Sequence, residues 1–239
     1  MAIKLFSPAV IVVREWLHNP EDKIEGLTPE YFNMLKEEID AMRTRDPEGR
    51  TRSNKGHGWQ SNDGIDNNPI FNKLMRQIKR TIQDELLGYC GFEPGSSVVN
   101  MHNAWANINY KHGHNAPHLH NGCCYSGACY INADGDEGDI KFIETTKHFV
   151  GMALPTPRME ESWNWKPKTG DILIFPSGLM HAVEPNMTDK DRYSISFNLD
   201  FNYDLENGRN YGNEPDSEEF QRENMGLIFK TDRFGKLIQ

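Results

Sequence analysis

An α+β fold that is mainly β, a jelly roll with its helices packed on one face, is what this 239-residue sequence predicts. Two amphipathic helical patterns occupy the first third of the chain. After Gly95 the apolar spacing changes to period two and stays there through a series of short segments separated by turn residues. Helices first and strands afterwards segregate the helices to one side of a sheet structure, and many short strands call for a closed or double-sheet arrangement.

The first helix starts at Thr28-Pro29, a side-chain cap followed by proline at the first helical position, and Tyr31, Leu35, Ile39 and Met42 recur at helical spacing to about Arg45. Asn68-Pro69 repeats the start signal, with Phe71, Leu74, Met75, Ile78 and Ile82 on one stripe and Gly88 as a stop. Between them RTRSNKGHGWQSNDGIDNN reads as a polar loop around one large aromatic, Trp59, which either contacts a ligand or anchors the loop itself. Strands are expected at 98–110, 125–132, 139–143, 171–175 and 193–201. Residues 204–224 are acidic and poor in apolar side chains, a surface excursion before a last pairing piece, GLIFKTDRFGKLIQ. The expected organisation is one domain over 1–239: helical support and loop at 1–95, jelly-roll core at 96–203 and a C-terminal extension at 204–239.

Apolar residues make up 37% of the chain and charged ones 26%, ordinary for a globular protein and against disorder. With 35 acidic against 26 basic residues the net charge is −9, so there is no global positive field for nucleic acid or an anionic membrane. The apolar run from Ala9 to Val13 ends at Arg14, too short for a membrane span or a signal-peptide core, and a cytoplasmic location is expected. Cys90, Cys123, Cys124 and Cys129 lack metal-type C-x-x-C spacing and read as reduced thiols. Whether the chain works alone or as a homodimer is left open.

Four histidines fall within HGHNAPHLH: His112, His114, His118 and His120. Two histidines at i and i+2 on an extended chain point to the same side, the arrangement for chelating one ion. His118 and His120 are the preferred pair because Pro117 precedes them and a strand follows, which sets them at a strand edge facing inward. His112 and His114 flank Gly113 and are expected in a mobile loop. An isolated H-x-H is a weak signal. A second segment, GDILIFPSGLMHAVEPNMTDKDRYSISFNLDF, strengthens it by delivering His181 at the end of a buried strand and short loop. The next strand carries Arg192, Ser194, Ser196 and Asn198 on one face and Tyr193, Ile195, Phe197 and Leu199 on the other. An arginine on such a strand needs a partner: a carboxylate ligand gripped by its guanidinium fork, or an acidic side chain of the fold.

Taken together and in order, SNKGHGWQS (53–61), AWANINY (104–110), the HLH to YSGACYI stretch (118–131), GDILIFPSGLMHAV (170–183) and DRYSISFNLD (191–200) resemble the 2-oxoglutarate/iron(II) oxygenases with a double-stranded β-helix core, found in bacteria and tailed phages. The resemblance implies that His118, His120 and His181 ligate Fe(II). It implies that Arg192, eleven residues after His181, pairs with the distal carboxylate of 2-oxoglutarate, with Ser194 assisting. CYIN (129–132) is similar to a prolyl hydroxylase strand whose tyrosine bonds that carboxylate, which makes Tyr130 a third candidate; the alternative is a tyrosine filling the core. The reaction implied consumes O2 and couples decarboxylation of 2-oxoglutarate to hydroxylation of a small-molecule or peptidyl substrate. Most of the superfamily has a carboxylate where His120 stands, although H-x-H is common in the branch this chain resembles. Three neutral imidazoles leave more positive charge on the metal, which bears on its redox potential and on its selection against zinc and copper.

Trp59, Trp105, Asn107, Asn109, His112, His114 and Asn198 are the candidates for substrate contact. Two other readings use the same histidines: a three-histidine cupin-type dioxygenase or isomerase that needs no 2-oxoglutarate, and a non-catalytic jelly-roll module with structural zinc. The second requires a fourth ligand, from His114 or a cysteine.

Overall fold

A computed structural model of the protein describes residues 11–55, 57–83, 97–143 and 162–203. In chain order these form β1 (Val12–Glu15), α1 (Pro29–Arg45), β2 (Asn54–Lys55), β3 (Gly58–Gln60), α2 (Asn72–Thr81), β4 (Ser97–Asn109), β5 (His114–His118), β6 (Tyr125–Asn132), β7 (Ile140–Ile143), β8 (Ser162–Trp165), β9 (Asp171–Pro176), β10 (His181–Val183) and β11 (Arg192–Tyr203). A six-stranded sheet runs β1-β9-β6-β11-β4-β3 and a five-stranded sheet runs β2-β5-β10-β7-β8. The pairings are antiparallel, as in a jelly roll. The chain divides into two compact units, 1–78 with 100–200 and 79–99 with 201–239. All side chains discussed below belong to the first. Of the second, the description covers the end of α2, the first residues of β4 and the last of β11. The expected excursion at 204–224 and the final pairing piece lie outside the described residues. No described helix is long and apolar enough to cross a membrane.

Helix α1 begins and ends where the sequence places it. The Thr28 hydroxyl accepts from the Tyr31 N–H at 3.3 Å, and Pro29 needs no N–H partner in the first turn. Tyr31, Phe32, Leu35 and Ile39 are buried, and α1 packs against β6 of the larger sheet. The second helix starts later than predicted: Asn68 caps a short 3-10 turn (Pro69–Phe71), and α2 continues from Asn72. The Tyr31 hydroxyl ties the segments together, donating to the Ile70 carbonyl and accepting from the Leu74 N–H.

Strand β9 is apolar on both faces. Leu173 and Phe175 join Ala128, Tyr130, Ala133, Ile140 and Phe142 in the core between the sheets, while Ile172 and Ile174 are fully buried on the opposite side. Close packing on that opposite side explains Gly127 in β6. A Cβ there would stand 2.3 Å from the Phe197 ring and 2.5 Å from the Leu173 carbonyl, so the approach of β11 to β6 excludes any side chain.

The sequence patterns did not reveal β1, β2, β3, β5, β8 and β10, which have two to five residues. Pieces this short cannot display a period. The expected loop position of His114 is corrected by β5, which starts at that residue and pairs with β2 and β10. His112 does stand in the turn before it, with φ 68°, and Gly113 passes so close to the His57 carbonyl that a Cβ would lie 2.0 Å away.

Candidate metal centre

Strand pairing sets His118 directly opposite His181 on the antiparallel β5 and β10. Directly opposed residues on one face of an antiparallel pair bring their side chains together, and these rings lie 4.2 Å apart between centroids. His120 follows two residues after His118, beyond the end of the strand, and its N–H donates to the Ser177 carbonyl at 2.9 Å. Leu119 between them is 40% exposed, so the chain still alternates and both imidazoles turn inward. The ligand-capable atoms of the three histidines all lie within 4.8 Å of one another.

The ring nitrogens facing away from the cluster decide its chemistry. Nδ1 of His118 lies 2.7 Å from the Ala116 carbonyl, Nδ1 of His181 2.9 Å from the Leu179 carbonyl, and Nδ1 of His120 2.6 Å from Asn198 Oδ1. Each partner is an acceptor, so each Nδ1 carries the proton and donates. Each Nε2 is then left with its lone pair free, the form that binds a divalent metal. Burial keeps the rings neutral: it lowers the pKa of His118 and of His120, and brings that of His181 down to about 3 with help from the neighbouring His118. Phe175 contributes to that burial, its ring centroid 4.6 Å from His181.

The histidines line a cavity together with Trp105, Asn107, Asn109, Tyr130, Arg192 and Ser194. Arg192 is 1% exposed. One of its terminal nitrogens donates to the carbonyls of Glu137 and Gly138 at 3.0 and 2.6 Å, and its Nε has no partner among the described residues. The nearby Glu137 carboxylate is occupied by the backbone N–H groups of Asp134 and Gly135. No described carboxylate forms an ion pair with Arg192, so the alternative of a structural ion pair finds no partner there. Burial pulls the Arg192 pKa down, opposed by Tyr130, Glu137 and Asp139. A buried cation that lines a cavity and keeps a donor without a described partner calls for an anionic ligand. Tyr130 is pushed well above the ordinary phenol range by burial, which keeps its hydroxyl as a potential donor.

The weaker candidates separate clearly. Trp105, Asn107 and Asn109 line the cavity; the Trp105 ring stacks on His120 at 5.8 Å between centroids, and Asn107 Oδ1 is buried with no partner among the described residues. Trp59 lies elsewhere: its Nε1 donates to the Asp46 carbonyl at 2.7 Å and secures the loop after α1. His112 and His114 do not line the cavity, and Asn198 supports His120 from behind. Sequence reasoning missed Ser53 and Asn115 as lining residues. Ser53 stands immediately before β2 and Asn115 lies in β5, and the Asn115 side chain links Ser53 to Asn109.

Among the described residues the metal-capable group has three members. The expected donor chemistry fits: three neutral nitrogens on one side leave other positions on a metal open.

Residues 103–198 match the family model described as "Putative 2OG-Fe(II) oxygenase". Among solved structures, the chain is similar to a prolyl-4-hydroxylase of Pseudomonas putida, with 13% identity, a TM-score of 0.53 and coverage of 80% of this chain and 91% of that one. It is similar to a Trichoplax adhaerens prolyl hydroxylase in complex with a hypoxia inducible factor oxygen degradation domain peptide fragment, with 12% identity, a TM-score of 0.53 and coverage of 83% and 84%. HygX of Streptomyces hygroscopicus, with nickel and 2-oxoglutarate bound, has 12% identity, a TM-score of 0.50 and coverage of 82% and 83%. At these identities the structures speak for the fold. No curated protein matches the chain.

Proposed function

We propose, from the premise that the chain is a 2-oxoglutarate- and iron(II)-dependent oxygenase, that it is a hydroxylase whose metal is held by His118, His120 and His181 and whose cosubstrate is held by Arg192. The observation that carries this reading is the joint lining of one cavity by three neutral imidazoles and a buried guanidinium that has no carboxylate partner among the described residues. Iron(II) with 2-oxoglutarate and O2 supplies the oxidising power, coupling loss of CO2 to oxidation of a C–H bond of the substrate.

The residues of the chain bind, orient and exclude water. The three histidines occupy one side of the metal. Arg192, held in place by the Glu137 and Gly138 carbonyls, receives the distal carboxylate of 2-oxoglutarate in a site too buried for water to compete, with Ser194 and the Tyr130 hydroxyl beside it. Trp105, Asn107 and Asn109 face the substrate, and the unsatisfied Asn107 Oδ1 offers an acceptor to a neutral hydroxyl or amide N–H. A small polar metabolite or a peptide both present such donors. The free thiols of Cys123, Cys124 and Cys129 fit a reducing, cytoplasmic setting.

The structural-zinc reading, which needs a fourth ligand, is disfavoured by a ligand group of three among the described residues. The test is succinate release from 2-oxoglutarate by the purified protein with Fe(II) and ascorbate. Slow substrate-independent turnover is expected, abolished in His181→Ala. A protein with tightly bound metal that releases no succinate, with any candidate substrate, contradicts the hydroxylase reading and favours a cupin-type enzyme. Chelation should remove this turnover yet preserve cooperative unfolding, with a loss of about 3 kcal/mol if the metal was present at a hundred times its Kd. Unfolding on chelation would point to a structural metal.

A further inference from the structure

His118 and His181 direct their Nδ1–H groups to backbone carbonyls, which side-chain substitution cannot alter. His120 differs, because its Nδ1–H donates to a side chain, Asn198 Oδ1, at 2.6 Å. That amide is itself fixed. Ser126 Oγ donates to the same Oδ1 at 2.7 Å, and Asn198 Nδ2 donates to Asn103 Oδ1 at 2.8 Å. A flipped amide would set Nδ2 against the His120 Nδ1–H and turn its own oxygen toward Asn103 Oδ1, losing both of those bonds. Asn198 and Ser126 are 8% and 0% exposed, so water does not substitute readily.

We propose that Asn198 is the positioning residue of His120, holding its Nδ1–H tautomer and aiming Nε2 at the metal, and that its neutrality keeps this third ligand an uncharged imidazole. The inference rests on the metal-site reading above. A carboxylate at the same place would draw the proton of Nδ1 and give the ring more electron density to donate. The amide leaves the ion its full charge, which then attracts an anionic keto acid. Asn198 is thus assigned to the support of a ligand and not to substrate contact, and it forms the one ligand support in the cluster that a single substitution can tune.

The test is titration of the full-length apoprotein with Co(II), read by its visible d–d absorption, for wild type, Asn198→Leu, Asn198→Asp and Ser126→Ala, with apoprotein melting curves as a fold control. Loss of an outer partner of a metal-bound histidine weakens affinity by about 10- to 100-fold, and that loss is expected for Asn198→Leu. Asn198→Asp retains the acceptor and should bind at least as tightly as wild type, with a shifted absorption band. Ser126→Ala keeps the Asn198–His120 bond and should fall between wild type and Asn198→Leu. Equal affinities and identical spectra for folded Asn198→Leu and wild type overturn the inference, as does Asn198→Asp behaving like Asn198→Leu. A wild type that takes up no Co(II) overturns the metal-site reading and this inference with it.

Discussion

Alternate residues of β11 divide between two environments. Arg192, Ser194 and Ser196 line the cavity and Asn198 supports His120 beside it, whereas Tyr193, Ile195, Phe197 and Leu199 are buried on the face turned toward α1. The outer face is closely packed at two points: Phe197 occupies the space over Gly127, and the Tyr193 hydroxyl donates to Asp40 of α1 at 2.8 Å. The inner face holds a cation whose Nε has no partner among the described residues. With the function proposed above, one strand serves binding on one side and stability on the other, and substitutions should sort by parity of residue number.

Arg192→Met is the strongest way to break the inner face. Removing one partner of a buried charge pair costs about 2–5 kcal/mol of binding, so the Kd for 2-oxoglutarate should rise by about two to three orders of magnitude. The melting temperature of the apoprotein should change little, because relief of a buried charge offsets the loss of its hydrogen bonds to the Glu137 and Gly138 carbonyls. Phe197→Ala does the reverse. A buried Phe→Ala change costs about 3–5 kcal/mol, visible in urea unfolding, while the folded fraction should keep wild-type Co(II) affinity. Tyr193→Phe removes a hydrogen bond to a carboxylate and should cost about 1.5–3 kcal/mol of stability with no change in KM for 2-oxoglutarate. Trp59→Phe, outside β11, should cost about 1 kcal/mol through the lost Asp46 contact and leave turnover intact. A marked loss of turnover in a stable Trp59→Phe protein would return that residue to the list of substrate contacts.

Much of this division was legible in the sequence, because β11 is long enough to show its period and Arg192 stands out on it. The helix α1 was readable for a similar reason, with a cap, a proline and a stripe in agreement. The histidine pair at 118 and 120 was legible from spacing, but its geometry was not. That depends on β5 pairing with β10, two strands of five and three residues whose register places His118 against His181. Nor could the sequence say which side chain holds His120: residues 120 and 198 are far apart in the chain, and a period-two pattern marks Asn198 as inward without naming its partner. Trp59 shows the opposite failure. A lone aromatic in a polar loop reads equally as ligand contact and as anchor, and only the Asp46 carbonyl distinguishes them.

The central claim is that three histidines and Arg192 form one site in which metal and cosubstrate bind together. Calorimetric titration of 2-oxoglutarate into anaerobic protein, with and without Mn(II), tests it most directly in wild type, His181→Ala and Arg192→Met. Binding that requires both the metal and Arg192, and that fails in His181→Ala even with Mn(II) present, is the predicted result. Binding of equal strength in apoprotein and metal-loaded protein, or unaffected by Arg192→Met, would contradict it.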